Sequence, residues 1–182
     1  MDPFFVAAAA VAATACVTDL KTGTIPNRLT LPVLALAPLA RMAYAKHAGL
    51  AAADVALEGA LSVVGALVAS AVPAALYRKS AIGAGDVKLF AALGALAHPS
   101  LGLEILSFSF VVAIVLAPVS LIYRGTFAQT LGNLVTLAAN LVRPAHARRE
   151  VPAAAMTWLK MGPAIFVGTL VALGLHVSGG AS

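Results

Sequence analysis

Charged residues are scarce in this sequence. Its 182 residues include 12 Lys and Arg and 7 Asp and Glu, which is 10% of the chain, against about 25% in a typical soluble domain. Apolar residues make up 61%, and the mean hydropathy is +0.96. This composition excludes a soluble globular domain and a disordered tail. It predicts a chain that buries its apolar surface in a lipid bilayer.

Cysteine is almost absent. The single Cys16 excludes an internal disulfide and a multi-cysteine zinc site, and its Ala- and Val-rich surroundings favour a small buried thiol. The four histidines, His47, His98, His146 and His176, are scattered without the spacing of metal ligands. We therefore predict neither a metal site nor a cofactor.

The apolar runs predict an all-α, polytopic membrane protein. A spanning helix needs about 20 apolar residues, so six would use about 120 of the chain, leaving short loops and one membrane-embedded domain over residues 1–182. Proline at position 38 predicts a kink in the second span. The expected spans are Pro3–Thr18, Leu29–Tyr44, Val55–Tyr77, Asp86–Ala97, Leu103–Tyr123 and Met161–Val177.

The uncharged segment Gly125–Val142 is a separate case. Its polar residues recur at helical spacing opposite an apolar face, which favours an amphipathic helix lying on the membrane interface over a seventh span. A seventh span would also carry the basic residues that follow it to the other side. The polar residues are Gln129, Asn133, Thr136 and Asn140.

The basic residues predict the orientation. Six spans place ten of them on one side of the membrane and leave only Arg41 and Lys46 on the other. Because basic residues stay on the cytoplasmic side, the side with ten is predicted to be cytoplasmic. Both chain ends are then expected outside the cytoplasm. This explains the net charge of +5 and the pI near 9.8 without a nucleic-acid partner. Asp2 is the only charge before the first span, which favours a retained anchor over a cleaved signal peptide. The ten are Lys21, Arg28, Arg78, Lys79, Lys88, Arg124, Arg143, Arg148, Arg149 and Lys160.

Two of the seven acids lack a simple explanation. Asp54, Glu58 and Glu104 begin predicted helices, where the helix dipole favours a carboxylate. Asp19 ends the first span and Asp86 opens the fourth, with two complete spans between them. An even number of crossings returns the chain to the same side, so both carboxylates are expected at the cytoplasmic face. Acids placed in or near a membrane are candidate functional residues.

The residues around these aspartates support a site. Gly83 and Gly85 precede Asp86 and permit close approach of another chain, while Pro26 fixes a turn after the first span and Asn27 is expected to cap the second. Neighbouring carboxylates do not both ionise easily, so a pair shares a proton and can activate water for hydrolysis.

Lys21 and Lys88 each follow an aspartate by two residues. Either lysine could tune a carboxylate, contact a substrate, or anchor its helix by extending its charged end to the interface.

Together these motifs resemble the type IV prepilin leader peptidases. Gly83, Gly85 and Asp86 match the family's Gly-x-Gly-Asp motif, and Asp19 with Ile25-Pro26-Asn27 matches its first-aspartate motif. The segment Gly162-Pro163-Ala164 is similar to the family's C-terminal Gly-Pro segment. Presenilin-like proteases share Gly-x-Gly-Asp but place their first aspartate in a different motif.

The resemblance implies a membrane aspartic protease of the bacterial inner membrane that removes the leader of prepilins or pseudopilins at the cytoplasmic face, with Asp19 and Asp86 catalytic. The chain is most similar to the small peptidase-only form of Flp or tight-adherence pili, without a methyltransferase domain. The alternatives are a small proton-coupled transporter and a non-catalytic scaffold for pilus or secretion assembly. The sequence leaves the cognate pilin, the cleavage position and the oligomeric state open.

Overall fold

The computed structural model describes residues 2–123, 127–142 and 160–179. Within these ranges the chain is helical and contains no strand, as expected for the all-α class. The helices are α1 (Pro3–Thr22), α2 (Asn27–His47), α3 (Ala52–Arg78), α4 (Ala84–Tyr123), α5 (Phe127–Val142) and α6 (Gly162–Gly179).

Four stretches of the described chain are long and apolar enough to cross a membrane. They are Pro3–Thr22, Ala52–Arg78, Ala84–Val119 and Gly162–Gly179. Helix α2 is long enough at 21 residues but is not among them, because Arg28, Arg41 and Lys46 lower its apolar content. These helices identify a membrane protein, whereas the count of six crossings remains a prediction.

Helix α4 reverses direction at His98. This residue has φ 66° and ψ 171°, far from helical values. The rings of Phe90 and Phe110 stack with centroids 6.1 Å apart, although 20 residues of straight helix would separate them by about 30 Å. A Cβ atom built on Gly102 would lie 3.2 Å from the Cα of Gly94. The candidate span Ala84–Val119 therefore contains a tight helical hairpin, where we expected a short loop between Ala97 and Leu103.

The reversal at His98 lies in a group of charged side chains, here called the far-end cluster: Asp2, Arg41, Glu58 and His98. The Arg41 guanidinium lies 3.7 Å from Asp2 and 3.6 Å from Glu58, and His98 lies 3.1 Å from Glu58. These residues come from the start of α1, the second half of α2, the first turns of α3 and the hairpin tip. Helices α1, α2, α3 and the first segment of α4 therefore alternate in direction.

Two of these charges have contacts that the sequence does not predict. Glu58 was assigned to the helix dipole, but it lies one turn beyond Asp54 and pairs with Arg41 and His98. Arg41 is expected on the outer side of the membrane with Lys46; it is buried within α2 and donates a hydrogen bond to the carbonyl of Leu96. A buried cation needs such partners because burial removes its hydration.

Small residues allow the helices to pack closely. Helix α1 packs against α6, and α2 packs against α3. A Cβ atom on Gly65 of α3 would overlap the carbonyl oxygen of Gly94 in the first segment of α4. A Cβ atom on Gly168 of α6 would overlap the backbone of Ser109. Close backbone approach of this kind is the usual way that helices associate in membranes, where Leu and lipid are equally apolar.

The described residues fall into two compact units. The first comprises residues up to Ala113 and from Lys160 onward, and it contains both predicted aspartates; the second is Ile114–Leu159. In the second unit, α5 has 16 residues and an amphipathic sequence, with Leu131 and Val135 exposed. Its interfacial position and the single-domain organisation of the whole chain remain predictions.

Candidate active site

Asp19 lies in the last turn of α1. Its side chain is buried, at 6% exposure, and its Oδ2 accepts a hydrogen bond of 2.8 Å from the backbone N–H of Gly162. Helix α1 ends because Gly23 adopts the left-handed conformation with φ 69°, and its N–H donates to the backbone carbonyl of Asp19 at 2.9 Å. Glycine adopts this conformation readily and commonly terminates helices in this way. The short turn after Gly23 then leads directly into α2.

Asp86 lies in the first turn of α4. Its Oδ2 accepts a hydrogen bond of 3.0 Å from the backbone N–H of Gly83, in the manner of an acid at the third helical position that caps the helix start. Gly85 allows close contact with the preceding turn, since a Cβ atom there would lie 3.1 Å from the Cβ of Ile25. The Gly-x-Gly-Asp sequence therefore forms a helix start that packs against the turn between α1 and α2.

The two aspartates line the same cavity. It has a volume of about 300 Å³ and is bounded by the end of α1, the turn into α2 and the start of α4. Asp19 and Asp86 are close enough for their charges to interact. Ten residues line the cavity: Asp19, Gly23, Thr24, Ile25, Asn27, Gly83, Ala84, Gly85, Asp86 and Lys88.

Lys88 and Asn27 form one edge of this cavity. The Lys88 ammonium donates a hydrogen bond of 2.8 Å to Oδ1 of Asn27, joining α4 to α2. Asn27 is the first residue of α2, and Pro26 holds the preceding cap position without a side-chain cap. The expectation that Asn27 caps α2 is therefore wrong, because its side chain is engaged by Lys88. Lys21 is exposed and is not among the lining residues.

Lys160 and Gly162 contact the end of α1 beside the cavity, a role that the sequence does not predict for either residue. The Lys160 ammonium donates a hydrogen bond of 2.8 Å to the carbonyl of Leu20, and Gly162 donates to Asp19. The Gly-Pro sequence at positions 162 and 163 was the only indication that this segment matters, but no spacing rule links it to an aspartate 143 residues earlier. Gly162 reaches Asp19 because α6 packs along α1.

The cavity offers acid–base chemistry. It combines two carboxylates with backbone N–H donors, and each aspartate uses its Oδ2 for a glycine N–H. Within the described ranges, no group of three or more His, Cys, Asp or Glu side chains is arranged to hold a metal ion. Cys16 lies one turn before Asp19 and is only partly buried.

A comparison with protein families decides the assignment of the whole chain. Residues 6–118 match the model of the type IV leader peptidase family. This match covers more than half of the chain and includes most of α1, all of α2 and α3, both aspartates and the hairpin of α4. The chain belongs to the type IV leader peptidase family.

The resemblance inferred from the motifs is thus confirmed. Family membership and the apolar helices together identify a leader peptidase-like membrane protease. The matched region ends before α6, so the contact of Gly162 with Asp19 is a feature of this structure that the family match does not contain. Neither the curated proteins nor the solved structures that were compared with the chain gave a match.

Proposed function

We propose that this protein is an aspartic endopeptidase that removes the leader peptide of type IV prepilins or pseudopilins at the cytoplasmic face of the bacterial inner membrane. The observation that supports this most directly is the placement of Asp19 and Asp86 in one cavity. Two carboxylates that share a proton can hydrolyse a peptide without a covalent intermediate.

In the proposed reaction, one carboxylate is ionised and its partner is protonated. The ionised group removes a proton from water as the water oxygen bonds to the peptide carbonyl carbon, and the protonated group donates to the carbonyl oxygen. The tetrahedral intermediate then collapses: the carboxyl that took the water proton gives it to the leaving nitrogen as the C–N bond breaks. The other carboxylate takes a proton back from a hydroxyl of the intermediate, so that a new carboxyl and a new amine remain. These steps need no metal ion or cofactor.

The position of the cavity suits a substrate that crosses the membrane. The cavity lies at the ends of apolar helices, beside a glycine-bearing helix start. A leader that emerges from its own membrane helix must become extended to be cleaved, and the cavity of about 300 Å³ beside both aspartates is where its backbone would lie. We propose that membrane placement, rather than attraction between basic enzyme and basic leader, brings the two together.

The orientation is part of the same proposal. Arg28, Arg78 and Lys79 are exposed near the helix ends that share the side of the cavity, which supports a cytoplasmic location under the positive-inside rule. Both chain ends then lie on the outer side. This places the aspartates where a leader peptide not yet translocated is accessible.

The test is cleavage of a purified prepilin by the purified protein in liposomes, with the products identified by mass spectrometry. The wild type is expected to release one leader fragment, and Asp86→Asn to release none. Asp54→Asn is the matched control, because Asp54 is exposed at the start of α3 and lies outside the cavity. A wild type that leaves every prepilin intact, or an Asp86→Asn variant that cleaves like Asp54→Asn, contradicts the proposal.

A further inference from the structure

We propose that Gly162 is a positioning residue for the aspartate pair: its backbone N–H, presented at the start of α6, holds the Asp19 carboxylate in the cavity shared with Asp86. The inference rests on the proposed function, because it assigns Gly162 a role in the same reaction. It adds a third helix to a site otherwise built from α1, α4 and the turn into α2.

Helix α1 does not stabilise the carboxylate of Asp19. It lies in the last turn of α1, where unpaired carbonyl groups carry partial negative charge and disfavour a carboxylate. The hydrogen bond from Gly23 goes to the backbone carbonyl of Asp19, so it closes the helix without contacting the side chain. A buried carboxylate at this position therefore requires a donor from another element.

The start of α6 supplies that donor. The carbonyl of Met161 accepts the hydrogen bond from the Ile165 N–H at 2.9 Å, which makes Gly162 the first residue of the helix. Its N–H has no partner within α6, as is general for the first turn, and it donates to Oδ2 of Asp19 at 2.8 Å. The positive end of the α6 dipole also favours the negative charge.

Only glycine fits at this position. A Cβ atom on residue 162 would lie 2.7 Å from the Cβ of Asp19 and 2.9 Å from its Oδ2, which is closer than nonbonded atoms normally approach. An alanine would therefore displace the Asp19 carboxylate. Lys160, two residues before α6, makes a second contact with this turn of α1, because its ammonium donates a hydrogen bond to the carbonyl of Leu20.

This contact fixes one carboxylate oxygen and leaves the other available. Within the described part of the chain, Oδ2 of Asp19 accepts from Gly162 and its Oδ1 has no protein hydrogen-bond partner. Asp86 is arranged in the same way, with Oδ2 bonded to Gly83. Each aspartate is thus oriented by a glycine N–H, and each retains an oxygen for water, substrate or the shared proton.

The kinetic test compares Gly162→Ala with Gly174→Ala, a control in the same helix where an added Cβ meets nothing within 4 Å. Misplacing a catalytic group by about 1 Å costs on the order of 100-fold in rate. We expect Gly162→Ala to lower kcat by about that factor with KM unchanged, and Gly174→Ala to retain wild-type kinetics. In an Asp19→Asn background, Gly162→Ala is expected to cause no further loss, because both changes act through the same carboxylate.

A second measurement does not depend on cleavage. Hydrogen exchange at the Gly162 amide, followed by NMR in micelles, is expected to accelerate in Asp19→Ala, because that variant removes the acceptor. Exchange at Ile165 is the control, since its N–H is bonded within the chain to Met161. Failure of the wild type to cleave any prepilin contradicts the proposed function and leaves this measurement interpretable. Unchanged Gly162 exchange in Asp19→Ala, or wild-type kcat in Gly162→Ala, overturns the positioning role.

Discussion

Replacing Arg41 with methionine is expected to destabilise the far-end cluster without touching the aspartate pair. The Arg41 side chain is 8% exposed and lies between the carboxylates of Asp2 and Glu58, each 29% exposed. Its guanidinium also donates to the carbonyl of Leu96 and lies 4.1 Å from the ring centre of Phe4. Methionine keeps much of the side-chain volume but removes every one of these polar contacts.

The expected cost follows from these contacts. Removing one partner of a buried ion pair typically destabilises a protein by about 3–5 kcal/mol, and the partial exposure of both acids favours the lower end. We therefore expect Arg41→Met to lower the free energy of unfolding by about 3 kcal/mol. Glu58→Gln should cost less, about 1 kcal/mol, because Arg41 keeps Asp2 and the Leu96 carbonyl.

The assay is SDS titration of the purified protein in mixed micelles, followed by circular dichroism. Lys46→Met is the matched control, because Lys46 is an exposed cation on the same helix, and its loss should change stability by less than about 0.5 kcal/mol. If Arg41→Met is no less stable than Lys46→Met, the far-end cluster does not hold the ends of these helices together.

Two further predictions concern packing and topology. Gly65→Ala should lower the free energy of unfolding by about 1–3 kcal/mol in the same titration, because the new Cβ overlaps the Gly94 carbonyl. Gly174→Ala should leave it unchanged, and equal stabilities of the two variants would show that α3 and α4 can separate freely. The orientation can be tested with single cysteines that replace Lys79 or Lys46 in an otherwise cysteine-free protein. A membrane-impermeant maleimide should label the two positions from opposite sides of oriented vesicles, and position 79 from the cytoplasmic side. Labelling of both positions from one side would contradict the alternating topology.

Much of the fold follows from local sequence. The long apolar runs predict α1, α3 and α6 within a few residues, because each run buries its apolar surface in a bilayer. The placement of Asp19 and Asp86 on one side follows from counting crossings, and both line one cavity. Counting crossings places both residues without any knowledge of which helices touch.

The features that were missed depend on contacts between distant segments. Pro99 disfavours a helical conformation at His98, but the sequence does not show that this one residue, with positive φ, reverses the chain. The ion pairs of Arg41 were not predicted, because its partners Asp2 and Glu58 lie in other segments of the chain. Gly162 reaches Asp19 across 143 positions of sequence, and only the packing of α6 on α1 brings them together.

The most direct test of the central claim is the rate of prepilin cleavage by Asp19→Asn, Asp86→Asn and the double variant, measured side by side in liposomes. If the two carboxylates act as one catalytic pair, each single substitution should lower kcat by at least about 100-fold, and the double variant should be no slower than the slower single variant. Cleavage at the wild-type rate by either single variant would contradict the account.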